Sequence, residues 1–197
     1  MHIRSCWPTV LLLNQFLITV KSNVCPVSLL PVFSAFKHIN VCYNHIILGM
    51  EAVRGYYEKL GPRFVNALSE MLVFDAVIRN TDRHFGNFGV LVDNRTNTIL
   101  SPAPLFDHGN SLFNFAGTDE WADDASLKNY IEILYPSVYD DFLSTAKSVL
   151  TLELREKLRH LLTFRFKKHS RYNLPSERLN MMEKQIQKRA GILLNRE

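Results

Sequence analysis

From residue 51 onward, apolar positions recur at three- and four-residue spacing through most of the chain, which predicts a mainly α protein with one small β-hairpin. Glu51–Leu60 and Pro62–Arg79 read as two helices parted by Gly61-Pro62, where glycine ends one helix and proline suits the first turn of the next. In the second helix Phe64, Leu68, Met71, Leu72, Asp75 and Ile78 share one face, so Asp75 is a carboxylate on an apolar stripe. The short runs Phe88–Val92 and Thr98–Leu100 flank Asp93-Asn94-Arg95-Thr96-Asn97, residues that tolerate turn conformations, and so predict the hairpin. Later helices are expected at 124–134, 137–149, 151–166 and 175–194. The last opens with Pro175-Ser176-Glu177 and places Leu179, Met182, Ile186, Ala190 and Leu193 on one face.

With 197 residues, 47% hydrophobic and 21% charged, the chain can bury one sizeable core, which excludes a disordered, collagenous or disulfide-miniature protein. The 23 Lys and Arg against 19 Asp and Glu leave only +4, too little to argue nucleic-acid binding from net charge. The distribution of charge says more. Residues 1–50 hold Arg4, Lys21 and Lys37 and no acid, together with Cys6, Cys25 and Cys42, whose wide spacing fits reduced thiols and a cytoplasmic protein rather than a metal or redox pair. This composition shift divides the chain into 1–49 and 50–197. Met50 as the start of the protein proper, with upstream translation or a truncation scar before it, is the favoured reading of 1–49. A weak signal built on the apolar run Val10–Val20 and a packed segment are the alternatives. Further on, 119–141 is acidic and 155–171 basic.

The chemistry-bearing segment is Ile78-Arg79-Asn80-Thr81-Asp82-Arg83-His84-Phe85-Gly86-Asn87-Phe88, a polar loop between an apolar helix and an apolar strand. A second polar cluster, Ala103 to Ser111, follows the hairpin. If the turn centres near Arg95, Asn87 lies roughly opposite Ala103, so that Asn87 and Asp107 emerge at one end of the hairpin. An aspartate, an asparagine five residues on and a second aspartate beyond a hairpin suit phosphoryl transfer: one carboxylate accepts the proton of the attacking hydroxyl, while an amide oxygen and the other carboxylate hold Mg²⁺. Zinc, prompted by His84 and His108, is the weaker idea, because no cysteine lies in 51–197 and no HExxH-like helix exists.

At these residues the chain resembles a known family. Asn80-Thr-Asp-Arg-His-x-x-Asn87 followed by Pro104-Leu-Phe-Asp107 is similar to the catalytic loop and metal-binding aspartate of HipA-like serine/threonine kinases, and its Asp-Arg-His-x-x-Asn core also resembles that of phosphatidylinositol 3- and 4-kinases. The likeness spans about 60–195 and implies the helical C-terminal lobe of the protein-kinase-like fold. It implies Asp82 as the catalytic base, Asn87 and Asp107 as Mg²⁺ ligands serving ATP, and Arg83 and His84 as residues that orient the loop or meet phosphate. Asp75 would brace the loop from its helix. Asp107-His108-Gly109 departs from the family's Asp-Phe-Gly at the middle residue, and His108 reads as structural.

Alone, Asp-Arg-His would be read as a turn carboxylate paired with its neighbour, and Asn80 and Asn87 as turn residues. The spacing to Asn87 and Asp107 is what favours a site. A Gly-rich phosphate-covering loop with its strand lysine is not recognisable upstream, where the glycines are Gly49, Gly55 and Gly61, so the N-terminal lobe is expected to be missing and activity doubtful without it. The expected partners are a protein carrying the Ser or Thr acceptor and a separate N-lobe or antitoxin chain. No membrane is expected, and nucleic acid only indirectly or weakly. The alternative function is a non-catalytic module whose basic 155–171 face engages nucleic acid or an acidic protein.

Overall fold

The computed structural model describes residues 27–31, 49–93, 95–169 and 171–195. Along the chain these form β1 (Val27–Pro31), α1 (Met50–Leu60), α2 (Pro62–Ile78), β2 (Gly89–Asp93), β3 (Thr98–Pro102), α3 (Asp124–Glu132), α4 (Phe142–Ser148), α5 (Leu152–Leu161) and α6 (Ser176–Leu194). The expected hairpin is present, and it carries a third strand: the antiparallel order is β1-β2-β3, with Val27 opposite Asp93 and Pro31 opposite Gly89. β1 comes from the segment that composition had set apart. The three cysteines and the apolar run Val10–Val20 of that segment lie outside the described residues.

α2 organises the core. Gly61, at φ 107°, ends α1 and Pro62 begins α2, as the Gly-Pro pair predicts. The stripe expected on α2 is wider than one face: from Met71 to Ile78 every residue is buried, which marks a central helix rather than an amphipathic surface one. On one side α1, β2 and the first half of α2 pack Val53, Tyr57, Leu68, Leu72, Phe88 and Val90 together. On the other, α3 to α6 close over its second half with Leu127, Phe142, Leu158 and Ile186. Each such side chain contributes about 1.5–3 kcal/mol on burial, so α2 is held from both sides and its C-terminal end is a rigid mount.

Several acids of 119–141 have structural partners. Asp123 caps α3 by accepting from the Ser126 N–H at 2.7 Å, and Asp141 caps α4 by accepting from Leu143 and Ser144 at 2.9 and 2.7 Å. Asp124 pairs with Lys184 of α6 at 2.8 Å. Helices expected at 137–149 and 151–166 are shorter, because Asp141 starts α4 late and the chain leaves α5 after Leu161. Phe164 and Phe166 then alternate inward on a non-helical strap, a period of two that helical spacing had concealed.

Candidate active site

α2 stops because Arg79 turns left-handed (φ 53°), while the Asn80 N–H reaches back to the Asp75 carbonyl at 3.1 Å. The loop that follows is built on a buried ion pair. Arg83 and Asp75 are both fully inaccessible, and the guanidinium grips the carboxylate bidentately, Nε to Oδ2 at 2.8 Å and Nη2 to Oδ1 at 2.9 Å. Nη1 donates to the carbonyls of Asn87 at 2.6 Å and Phe106 at 2.9 Å. One side chain thus ties α2, the end of the loop and the segment beyond the hairpin. Burial pushes the Asp75 carboxyl up, against the charge of Arg83 and hydrogen bonds from Arg83 and Asn80.

Asparagines complete the frame. Buried Asn80 donates from Nδ2 to Asp75 Oδ1 at 3.1 Å and accepts from the Asp82 N–H at 3.2 Å. Asn87 donates from Nδ2 to the Asp82 carbonyl at 2.9 Å, which leaves Oδ1 as the amide's ligand-capable atom. The second segment is stitched to the first by Thr81 N–H to the Asn110 carbonyl at 3.2 Å and Leu112 N–H to the Ile78 carbonyl at 2.8 Å. The two polar clusters therefore lie together, as the hairpin argument expected. The register is corrected: Ala103 donates to the Gly89 carbonyl at 2.9 Å and so faces Gly89, not Asn87. Half of this two-residue offset comes from a turn centred between Arg95 and Thr96, half from a bulge at Leu91/Val92.

On this frame Asp82 and Asp107 are exposed, and neither carboxylate has an ion pair or hydrogen bond among the described residues. Asp107 sits at φ 56°, a left-handed conformation that aspartate tolerates. His84 is also exposed, and its Nδ1 accepts from the Gly86 N–H at 3.1 Å. A Cβ on residue 86 would lie 2.9 Å from the His84 ring, so glycine lets the ring sit against the backbone there. Arg83 is a correction: buried and engaged in four hydrogen bonds to the protein, it orients the loop and has no access to a phosphate. His108 is buried against the edge of Phe74 with Nε2 unpartnered, and burial, reinforced by Arg83, lowers its pKa to about 3, which fits the structural reading.

No group of three or more His, Cys, Asp or Glu is placed to hold a metal among the described residues. Asn87 Oδ1 and the Asp107 carboxylate are hard oxygen donors and suit Mg²⁺, which keeps several waters and needs few protein ligands. Sequence reading missed the carbonyls of Phe106 and Asn110 and the Tyr57 hydroxyl, which donates to the Gly89 carbonyl at 3.2 Å. Backbone acceptors leave no residue-type signal, and a tyrosine 32 residues away in sequence shows no local pattern.

No protein-family model matches the chain, and a search of curated proteins finds no match. Among solved structures, the proinflammatory kinase CtkA of Helicobacter pylori is similar with a TM-score of 0.56 at 12% identity, over 96% of this chain and 84% of that one. The fold is therefore kinase-like. Among the described residues no helix is long and apolar enough to cross a membrane.

Proposed function

We propose that this chain is a HipA-like serine/threonine phosphotransferase that moves the γ-phosphoryl group of ATP onto a protein hydroxyl. Asp82 takes the proton of the attacking hydroxyl as its oxygen bonds to the γ-phosphorus and the bond to the bridging oxygen of ADP breaks. Asn87 Oδ1 and Asp107 would hold Mg²⁺, which neutralises charge on the phosphate oxygens when bound. His84, exposed beside Asp82 and oriented by Gly86, is a candidate phosphate contact. Arg83 and Asp75 are positioning residues. A lysine-bearing, phosphate-covering element is also required, and a separate chain would supply it.

The observation that carries this reading is the contrast within one loop. A fully buried Asp75–Arg83 pair and two asparagines fix the backbone, while Asp82 and Asp107 are left exposed and unpaired at the two sites that need free carboxylates. Positioning of this kind supplies much of the acceleration in phosphoryl transfer.

The test is calorimetric titration of the full chain with ATP in the presence and absence of Mg²⁺, followed by transfer assays with Ser- and Thr-containing protein. Mg²⁺-dependent binding that Asp107→Asn abolishes, with transfer falling about 10²–10⁴-fold in Asp82→Ala, supports the proposal. Binding or transfer unchanged in both variants overturns the assigned roles, and a folded chain that binds no nucleotide at all overturns the activity.

A further inference from the structure

The basic stretch 155–171 divides in two once folded. On α5 the cations have partners: Lys157 lies 2.7 Å from Glu70 and 3.3 Å from Glu153, Arg159 pairs with Glu156, and Arg155 donates to the Leu194 carbonyl. A basic helix face is therefore not what this region offers. The strap between α5 and α6 is different. No carboxylate occurs between Glu156 and Glu177, and Lys167, Lys168 and Arg171 are exposed with no ion pair among the described residues.

The strap is anchored rather than merely charged. Phe164 and Phe166 are buried in edge-to-face contact, with centroids 5.0 Å apart, and α6 holds their backbone through Gln187 Nε2 to the Phe164 carbonyl at 2.9 Å and the Phe166 N–H to Glu183 at 2.8 Å. Beyond them His169 and Asn173 clip a turn: the His169 N–H donates to Asn173 Oδ1 at 2.8 Å and Asn173 Nδ2 to the His169 carbonyl at 2.6 Å. The His169 Nδ1 accepts from the Arg171 and Tyr172 N–H groups. Tyr172 then stacks on the His169 ring at 5.6 Å and 19° while remaining 72% exposed, so one ring face is backed and the other is open.

We infer that this strap binds single-stranded nucleic acid, with Lys167, Lys168 and Arg171 on the phosphates and the open face of Tyr172 under a base. The cations alone would serve an acidic peptide equally well. The braced, solvent-facing aromatic beside them decides for nucleic acid, because every unpaired base offers a π-face and an acidic side chain offers none. Single strands are favoured over duplex, whose bases are already stacked on one another. This inference is independent of the phosphotransferase reading.

The experiment is fluorescence anisotropy of the full chain with a labelled single-stranded RNA or DNA 12-mer across a salt series, with the matching duplex and a poly-glutamate peptide as competitors. Removing all three cations together as alanines should flatten the log K against log salt slope by about 2, from roughly 0.7 per phosphate contact on a single strand. Tyr172→Ala should weaken binding roughly five- to one-hundred-fold with the slope unchanged. Asp107→Ala should leave binding intact, which separates this site from the proposed catalytic one. An unchanged slope in the triple variant, a neutral Tyr172→Ala, or displacement by poly-glutamate or duplex as readily as by single strand overturns the inference.

Discussion

Two polar connectors of this chain, the loop after α2 and the strap after α5, are both rich in arginine, histidine and asparagine, yet they are built in opposite senses. In the loop the arginine is inside: Arg83 and Asp75 are sealed from solvent and the carboxylates face out. In the strap the phenylalanines are inside and the cations face out. The loop is fixed by a sealed ion pair whose guanidinium also grips two backbone carbonyls, whereas the strap is held by two buried rings and hydrogen bonds to α6 with its cations left in solvent. The first arrangement suits a site where groups must meet reacting atoms within a narrow tolerance, and the second suits binding of a flexible polymer.

The sharpest way to break this comparison is to empty the loop's core. Arg83→Ala should destabilise by about 3–5 kcal/mol, because it strands the Asp75 carboxylate in the interior, read as a fall in the urea midpoint. Arg83→Lys should not restore stability, since an ammonium cannot make the bidentate grip and reach the Asn87 and Phe106 carbonyls as well. If both variants fold as the parent does, the ion pair is not what holds the loop.

Acid should reveal the same interior. His108 has an ordinary pKa of 6.5 and a folded value near 3, so below 6.5 the unfolded chain takes up a proton that the folded one refuses. Stability from this group is complete above 6.5 and falls as pH drops toward 3, by about 1.4 kcal/mol per pH unit. His108→Phe should flatten that limb of the stability–pH curve relative to the parent. Equal slopes in the two proteins would show that His108 reaches solvent.

The outward-facing groups should behave in the reverse way. Asp82→Ala and Asp107→Asn, the latter keeping a residue that tolerates the left-handed backbone at 107, are expected to change stability by no more than about 0.5 kcal/mol while removing the proposed transfer, read by thermal melts beside the activity assay. The smallest effect belongs to the strap, where Lys167→Ala and Lys168→Ala should leave the melting curve within error of the parent and alter only salt-dependent binding. A large loss of stability in either would mean that these lysines have structural partners.

Asp82, Asn87 and Asp107 were singled out from residue types and spacing, and the structure brings their two segments together; Asp75 stood out because a carboxylate on an apolar stripe demands a partner, which it finds in Arg83. Arg83 was only half read: its neighbours promised a role, and its burial ruled out the phosphate. The basic run 155–171 was misjudged as one face because a charge count cannot see Glu70 and Glu153 closing on Lys157. The hairpin was placed correctly and its register was not, since a bulge inserts one residue without a residue-type signature.

Sequence alone determined the helical class from Met50 onward, the Gly61-Pro62 break and the hairpin, because helix periodicity and turn chemistry are local properties. Tertiary structure decided which charges are buried, which cations stay free, that β1 joins the sheet, and that backbone carbonyls from Phe106 and Asn110 hold the site together. These depend on contacts between residues far apart in sequence, whose free energies exist only once the chain has folded.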